Sequence, residues 1–141
     1  KGLVVTNTHK LETTEVTVEK VWDDNNNQDG MRGNGATFTL YADGESIDTF
    51  NTTKDESHTW KNLPVYKEGK KIVYTVEEAK LANYDTEVDG DAKTGYVFTN
   101  IHTPETTEVT VEKVWDDNDN QDGKRPTEDI TLTLKVLVVL P

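Results

Sequence analysis

Apolar and polar residues alternate with a period of two through most of the chain. In a strand, alternate residues share a face. Thr14–Trp22 is therefore predicted as a first strand, with Val16, Val18 and Trp22 directed into a core. Lys20 falls on that same face. Ala36–Ala42 is predicted as a second strand with Phe38 and Leu40 inward, followed by a hairpin turn at Asp43-Gly44. Ser46–Asn51 and Ser57–Asn62 read as weaker strands, with Phe50, Trp60 and Leu63 as core contacts and Pro64 ending the second. Ile72–Glu78 is a strong strand that places Ile72, Tyr74, Val76 and Glu78 on one face. Ala82–Val88 is weaker, and Gly95–Ile101 closes the series with Tyr96, Phe98 and Asn100 together. Heptads and amphipathic helices are not seen. Short, closely spaced strands of this kind predict an all-β sandwich.

The pattern repeats. Glu15–Gly30 recurs as Glu108–Gly123 with a single difference, Asn26 against Asp119, at an offset of 93 residues. Gly95–Thr103 matches the start of the chain at the same offset, so that Asn7 corresponds to Asn100 and His9 to His102. The expected organisation is a final strand of a preceding repeat at 1–10, a complete sandwich at 11–103, and the first strands of a following repeat at 104–141. In that last part Ile130, Leu132 and Leu134 restart the second strand. The sequence then departs into the apolar run Lys135–Pro141, which reads as a sticky edge strand.

Charge narrows the choice of partners. The 141 residues carry 15 Lys+Arg against 27 Asp+Glu, a net −12. Nucleic acid and anionic membrane surfaces both require a positive footprint, so neither is expected. No signal-peptide pattern opens the sequence. No run of about 18 apolar residues occurs, so membrane insertion is not expected either. Cysteine is absent. A small extracellular β domain usually needs a covalent staple, so the chain is either not extracellular or stapled by other chemistry.

Three polar residues lie on faces that should be apolar: Lys20 on the first strand, Glu78 on the fifth and Asn100 on the last. First and last strands of a sandwich commonly pair, which would make Lys20 and Asn100 neighbours. Burial lowers a lysine's pKa and raises a glutamate's. A neutral lysine amine is a nucleophile, and a protonated glutamic acid can polarise a carboxamide and carry protons as ammonia leaves. The residues by themselves leave two readings open. One is a buried Lys20–Glu78 ion pair with Asn100 as hydrogen-bond partner. The other is a Lys20–Asn100 isopeptide bond made in a single turnover, with no metal or cofactor.

Four segments carry a family resemblance: VEKVWDDNNNQDG at Val18–Gly30, LYADGE at Leu40–Glu45, TWKNLPVYKEGKKIVYTVEE at Thr59–Glu78 and VFTNIHTPETT at Val97–Thr107. Together they cover nearly the whole repeat. The chain resembles the B-region repeats of Gram-positive collagen adhesins, the CnaB-type domain of surface proteins and pilins. The resemblance implies an immunoglobulin-like sandwich of the reverse-Ig type and an autocatalytic Lys–Asn isopeptide bond assisted by an acid. Carried over by motif, the lysine before the Val-Trp pair is Lys20, the acid ending the YTVEE strand is Glu78, with Glu77 its outward neighbour, and the asparagine of the FTN strand is Asn100. The flanking pieces depart from the pattern. Asn7 lacks a lysine and an acid, Lys113 lacks the later strands, and the two are not expected to react efficiently with each other.

The Asp23–Gly30 loop offers a weak calcium candidate in Asn25, Asn27 and Asp29, set against plain turn chemistry. A twelve-residue loop counted from Asn25 ends at Ala36, where a bidentate Glu belongs. His9, His58 and His102 are isolated, and Ser46 and Ser57 have no triad context. The expected role is a stalk module on a bacterial cell surface or cell wall. It would contact neighbouring repeats of the same protein, with any host matrix protein engaged through another domain. The alternative is a module that itself grips host matrix protein. Trp22, Trp60 and Trp115 all read as core positions, which leaves no aromatic cluster for such a surface.

Overall fold

The computed structural model describes residues 2–137, arranged as two units, Lys1–Thr106 and Thr107–Pro141. The first unit contains β1 (Thr13–Asp23), β2 (Ala36–Ala42), β3 (Glu45–Thr52), β4 (Glu56–Pro64), β5 (Tyr66–Lys67), β6 (Lys70–Lys71), β7 (Tyr74–Glu78), β8 (Asp85–Asp91) and β9 (Gly95–Ile101). One sheet has the order β4-β1-β9-β8 and the other β3-β2-β7, with β5-β6 as a small separate hairpin. Every pairing is antiparallel except β1 with β9, which run parallel in the register Val18↔Tyr96, Lys20↔Phe98 and Trp22↔Asn100. The expected contact between first and last strands is thus present, at the centre of the four-stranded sheet.

The inward faces follow the alternation. Val16, Val18, Ala36, Phe38, Leu40, Trp60, Tyr74, Val76 and Phe98 form the buried core, joined by Trp22 and Tyr84. Phe38 lies 5.0 Å from Phe98 edge-on, tying the sheets together. Phe50 stacks on His58 at 4.4 Å and closes the side between β3 and β4. Outside the core, Thr17 and Thr59 share a 2.9 Å hydroxyl contact across β1 and β4, a typical cross-strand pair. The outer edge strand β8 is exposed throughout and carries Asp85, Glu87, Asp89 and Asp91. Charge of one sign along an edge discourages pairing with another chain.

Turn chemistry sets the hairpins. Asp43 and Gly44 have φ of 49° and 84°, the left-handed pair that a two-residue hairpin needs. Glu68 and Gly69 do the same between β5 and β6, at 51° and 77°. At Gly90 a Cβ would meet the Gly95 carbonyl oxygen at 1.9 Å, so the β8–β9 hairpin closes only around a glycine.

Several boundaries differ from expectation. The β5–β6 hairpin is additional, making nine strands among the described residues instead of seven. β7 starts at Tyr74 instead of Ile72, because Ile72 donates to Val65 and Val73 exchanges hydrogen bonds with Asp43. The strand expected over Ala82–Val88 runs instead over Asp85–Asp91, because Tyr84 is drawn inward by a hydrogen bond to Asp24.

The strand expected over Lys1–Lys10 is not formed among its described residues 2–10. Leu3, Val4 and Val5 are 95 %, 93 % and 82 % exposed. The ladder position such a strand would take beside β1 is already filled by β9.

The second unit likewise holds no strand among its described residues 107–137. The reason lies in the topology: β1 and β2 belong to different sheets, so their equivalents share no backbone ladder. Their side chains still face one another, with Val109, Val111, Leu132 and Leu134 lining a cavity of about 370 Å³. Trp115, expected to be core, is 39 % exposed, because the strands that bury Trp22 have no counterpart around it. Of the apolar tail, residues 135–137 are exposed and form no strand, and 138–141 lie outside the described residues.

Candidate functional site

The structure brings Lys20, Glu78 and Asn100 to one end of the core. β1 and β9 present Lys20 and Asn100 from adjacent parallel strands, two registers apart on the inner face. β7 presents Glu78 from the opposite sheet, beside Phe38 of β2. Lys20 is 1 % exposed and Asn100 0 %. Asn100 donates through Nδ2 to Glu78 Oε1 at 3.0 Å, and Thr86 Oγ1 donates to the same oxygen at 3.3 Å. Lys20 Nζ donates to the Val21 carbonyl at 2.6 Å and sits 4.0 Å from the centroid of the Trp22 ring.

Two buried oxygens of the cluster, Glu78 Oε2 and Asn100 Oδ1, have no hydrogen-bond partner. A buried unpaired acceptor is costly. Both are acceptors while Glu78 is ionised. One proton on the carboxyl turns an acceptor into a donor, which is the form a carboxamide oxygen can use.

Burial shifts both groups toward that neutral form. Burial pushes the Lys20 ammonium down from 10.5 to about 8, against the opposing pull of the Glu78 and Asp55 carboxylates. Burial pushes Glu78 up, with the Asn100 hydrogen bond, the Lys20 charge and the Thr86 hydroxyl pulling back. Glu78, Thr86, Val88 and Phe98 line a groove between β7 and β8, where a small molecule such as ammonia can pass.

A second polar cluster was not anticipated from the sequence. Asp24, buried at the end of β1, takes two hydrogen bonds from Arg32 at 2.7 Å each, one from the Tyr84 hydroxyl at 2.7 Å and one from the Asn27 amide at 3.0 Å. Arg32 holds Asp24 far below the usual carboxylate range, and burial together with Asp24 pushes the Tyr84 phenol up to about 12. The guanidinium lies 4.9 Å from the centroid of the Trp22 ring. A signal existed in the repeat: Asp24 and Arg32 recur as Asp117 and Arg125, and that pair forms the same fork, at 2.6 and 2.7 Å.

Two of the calcium candidates, Asn27 and Asp29, face protein donors, while Asn25 is itself a donor. Asn27 Oδ1 accepts from the Arg32 amide at 3.2 Å, Asp29 Oδ2 meets His102 Nε2 at 2.8 Å, and Asn25 donates to Gln28. Asn25, Asn26 and Asn27 all have positive φ, from 53° to 59°, a backbone that asparagine tolerates better than most residues. His102 is not isolated: its Nδ1 lies 2.9 Å from the Asn83 carbonyl. Both ring nitrogens therefore face acceptors, and only the imidazolium can donate to both.

The flanking equivalents stand apart. Asn7 is exposed and outside any strand. Lys113 repeats the pose of Lys20, donating to the Val114 carbonyl at 2.7 Å and lying 3.9 Å over Trp115, but it is exposed. Its unit contains no counterpart of Glu78 or Asn100 among the described residues.

Two facing sheets, one antiparallel and one holding the parallel first and last strands side by side at its centre, define an immunoglobulin-like β-sandwich module. The model of the Cna protein B-type domain matches residues 16–101 and again 109–136. The chain belongs to that family. It is 50 % identical over 130 residues to a collagen adhesin of Staphylococcus aureus, which covers 90 % of this chain and 11 % of the relative. It is also similar to two crystal structures from the collagen-binding protein of Staphylococcus aureus, each at 47 % identity. The pair of B repeat units covers 81 % of this chain and 32 % of that one, with a TM-score of 0.63. The single B repeat unit covers 82 % and 60 %, with a TM-score of 0.55.

Proposed function

We propose that the complete repeat is a load-bearing stalk module of a bacterial cell-surface adhesin, locked by an isopeptide bond between Lys20 and Asn100. The observation that carries this reading is the part-buried Glu78–Asn100 hydrogen bond of 3.0 Å, with Lys20 on the strand adjoining Asn100. In the reaction, neutral Lys20 Nζ attacks Asn100 Cγ. The Nζ–Cγ bond forms, the Cγ–Nδ2 bond breaks, and ammonia departs. Glu78 protonates the carboxamide oxygen, takes up the proton shed by Nζ and passes it to the leaving nitrogen, then recovers its own proton from the oxygen as the C=O bond re-forms. The acid returns to its starting state, but the lysine and asparagine are consumed, so there is no turnover on a substrate.

The topology explains the use of such a bond. Force applied to the ends of the repeat enters through β1 and leaves through β9. These strands are parallel neighbours, so load shears their ladder. A covalent tie from Lys20 to Asn100 carries that load directly and shields everything between them. It also supplies the staple that a cysteine-free extracellular domain otherwise lacks.

In this reading residues 1–10 are the end of a preceding repeat, 11–103 the complete one and 104–141 the start of the next. The two family matches fall on the second and third of these parts. The chain spans about a tenth of the collagen adhesin's length, so contact with collagen or another matrix protein is assigned to other parts of such a protein. Within the sandwich the exposed apolar residues Ile47, Tyr66, Val73 and Val88 are single residues on different strands or loops. Tyr66 is the one aromatic side chain among them, so among the described residues of the sandwich they form no cluster of aromatic anchors of the kind that dominates interfaces.

Intact mass of the denatured chain tests the proposal. A mass low by one ammonia, restored in Glu78→Ala, is the expected result. The full calculated mass reduces the cluster to a buried ion pair.

A further inference from the structure

Lys20 is held by more than its reaction partners. Its Nζ lies 4.0 Å over the Trp22 ring, two residues along the same strand and on the same face. That ring is fixed from several directions. Tyr84 meets it edge-on at 5.3 Å, the Arg32 guanidinium lies 4.9 Å from its centroid, and the Trp22 backbone amide donates to Asp55 at 2.8 Å. Arg32 and Tyr84 are in turn pinned by buried Asp24. A long lysine stem is conformationally free, and its freedom must be lost before an amine can attack a fixed carbon. An aromatic face attracts the ammonium and, as a flat apolar surface, packs against the stem.

The second unit shows that this arrangement does not depend on the acid or the asparagine. Lys113 lies 3.9 Å over Trp115, Arg125 5.0 Å from the same centroid, and Asp117 grips Arg125, among described residues that hold no counterpart of Glu78 or Asn100. The lysine's pose is therefore set by its own local segment and the loop that follows it. We infer that Trp22 is a positioning residue for the crosslink, presenting Lys20 Nζ before the last strand brings Asn100 alongside. The inference rests on the isopeptide reading above. In it, the Asp24–Arg32–Tyr84 corner acts as the support of the tryptophan.

The test follows ammonia loss in the full chain made by cell-free translation, quenched in acidic denaturant at set times and weighed intact. Trp22→Leu keeps apolar bulk without a ring, and Trp22→Phe keeps a ring with a weaker quadrupole. At a temperature where circular dichroism shows all chains folded, Trp22→Leu should react at least about ten-fold more slowly and Trp22→Phe about three-fold more slowly. Loss of the ring also stops favouring the ammonium, so the alkaline limb of the pH–rate profile should move to lower pH. A purely structural role lowers melting temperature and leaves rate and limb in place. If Trp22→Leu does not fold, Trp22→Phe decides: unchanged rate and limb overturn the inference. Wild-type rates in both variants overturn the role of Trp22 and leave the crosslink standing. A wild-type chain that never loses ammonia overturns both.

Discussion

In the proposed reaction, the rate at which the newly folded chain loses ammonia should be bell-shaped in pH, with its alkaline limb near pH 8. The reactive arrangement needs a neutral Lys20 amine and a protonated Glu78 carboxyl, and so holds one proton on the pair. The ammonium–carboxylate ion pair also holds one proton. The two forms keep a fixed ratio at every pH, and the rate follows the population of singly protonated pairs. That population disappears above the folded pKa of Lys20, at about 8, and below the raised pKa of Glu78. The ratio itself sets the speed. With ordinary values of 10.5 and 4.5, about one pair in 10⁶ would be in the neutral form. Lowering Lys20 to about 8 raises that fraction roughly 300-fold, and the rise at Glu78 adds further. The assay is the timed intact-mass measurement from pH 5 to about pH 10, on wild type and on Glu78→Gln, which has no proton to exchange. Glu78→Gln should be slower by about 10² or more across the range. A wild-type rate that climbs with unit slope through pH 8 toward pH 10 would refute the reasoning, since it would report simple deprotonation of an ordinary lysine. So would a Glu78→Gln chain that reacts normally.

Under the proposed crosslink, Asn100→Ala removes the electrophile and with it the tie between positions 80 residues apart. By analogy with a disulfide over such a loop, the loss is about 4 kcal/mol, or roughly 15–30 °C in melting temperature by calorimetry; a change of only about 3 °C or less would remove the covalent contribution. Asp24→Ala leaves the Arg32 charge and the Tyr84 hydroxyl unpaired at a buried corner, and urea unfolding should show a cost of about 3 kcal/mol or more. A cost below about 1 kcal/mol would mean that water replaces the carboxylate. His102 is held above its ordinary 6.5 first by Asp29, helped by the Asn83 carbonyl. The stability this adds is complete below the unfolded pKa and is lost as pH rises through the folded one. Melting temperature should therefore fall with pH across that window in wild type and fall less in His102→Gln. Parallel curves would show that the two contacts do not depend on the proton.

Sequence alone determined much of this molecule. A period of two, turn signals at Asp43-Gly44 and the 93-residue self-match fixed the class of fold and most of the strands, because alternation records which face each residue presents. It also exposed Lys20, Glu78 and Asn100, since a polar residue on an apolar face stands out without any knowledge of its neighbours. What lies across the sandwich was not legible. Only the tertiary structure put Glu78 opposite β9 and against Asn100, because sheet partners and facing partners are chosen by packing between distant segments. It alone joined Asp24 to Tyr84, 60 positions away, and turned His102 from an isolated residue into a clasp between two loops. It also decided the fate of the flanking pieces. Asn7 and Lys113 have the right local sequence, but a strand exists only where a neighbour completes its ladder, and that neighbour is a property of the fold.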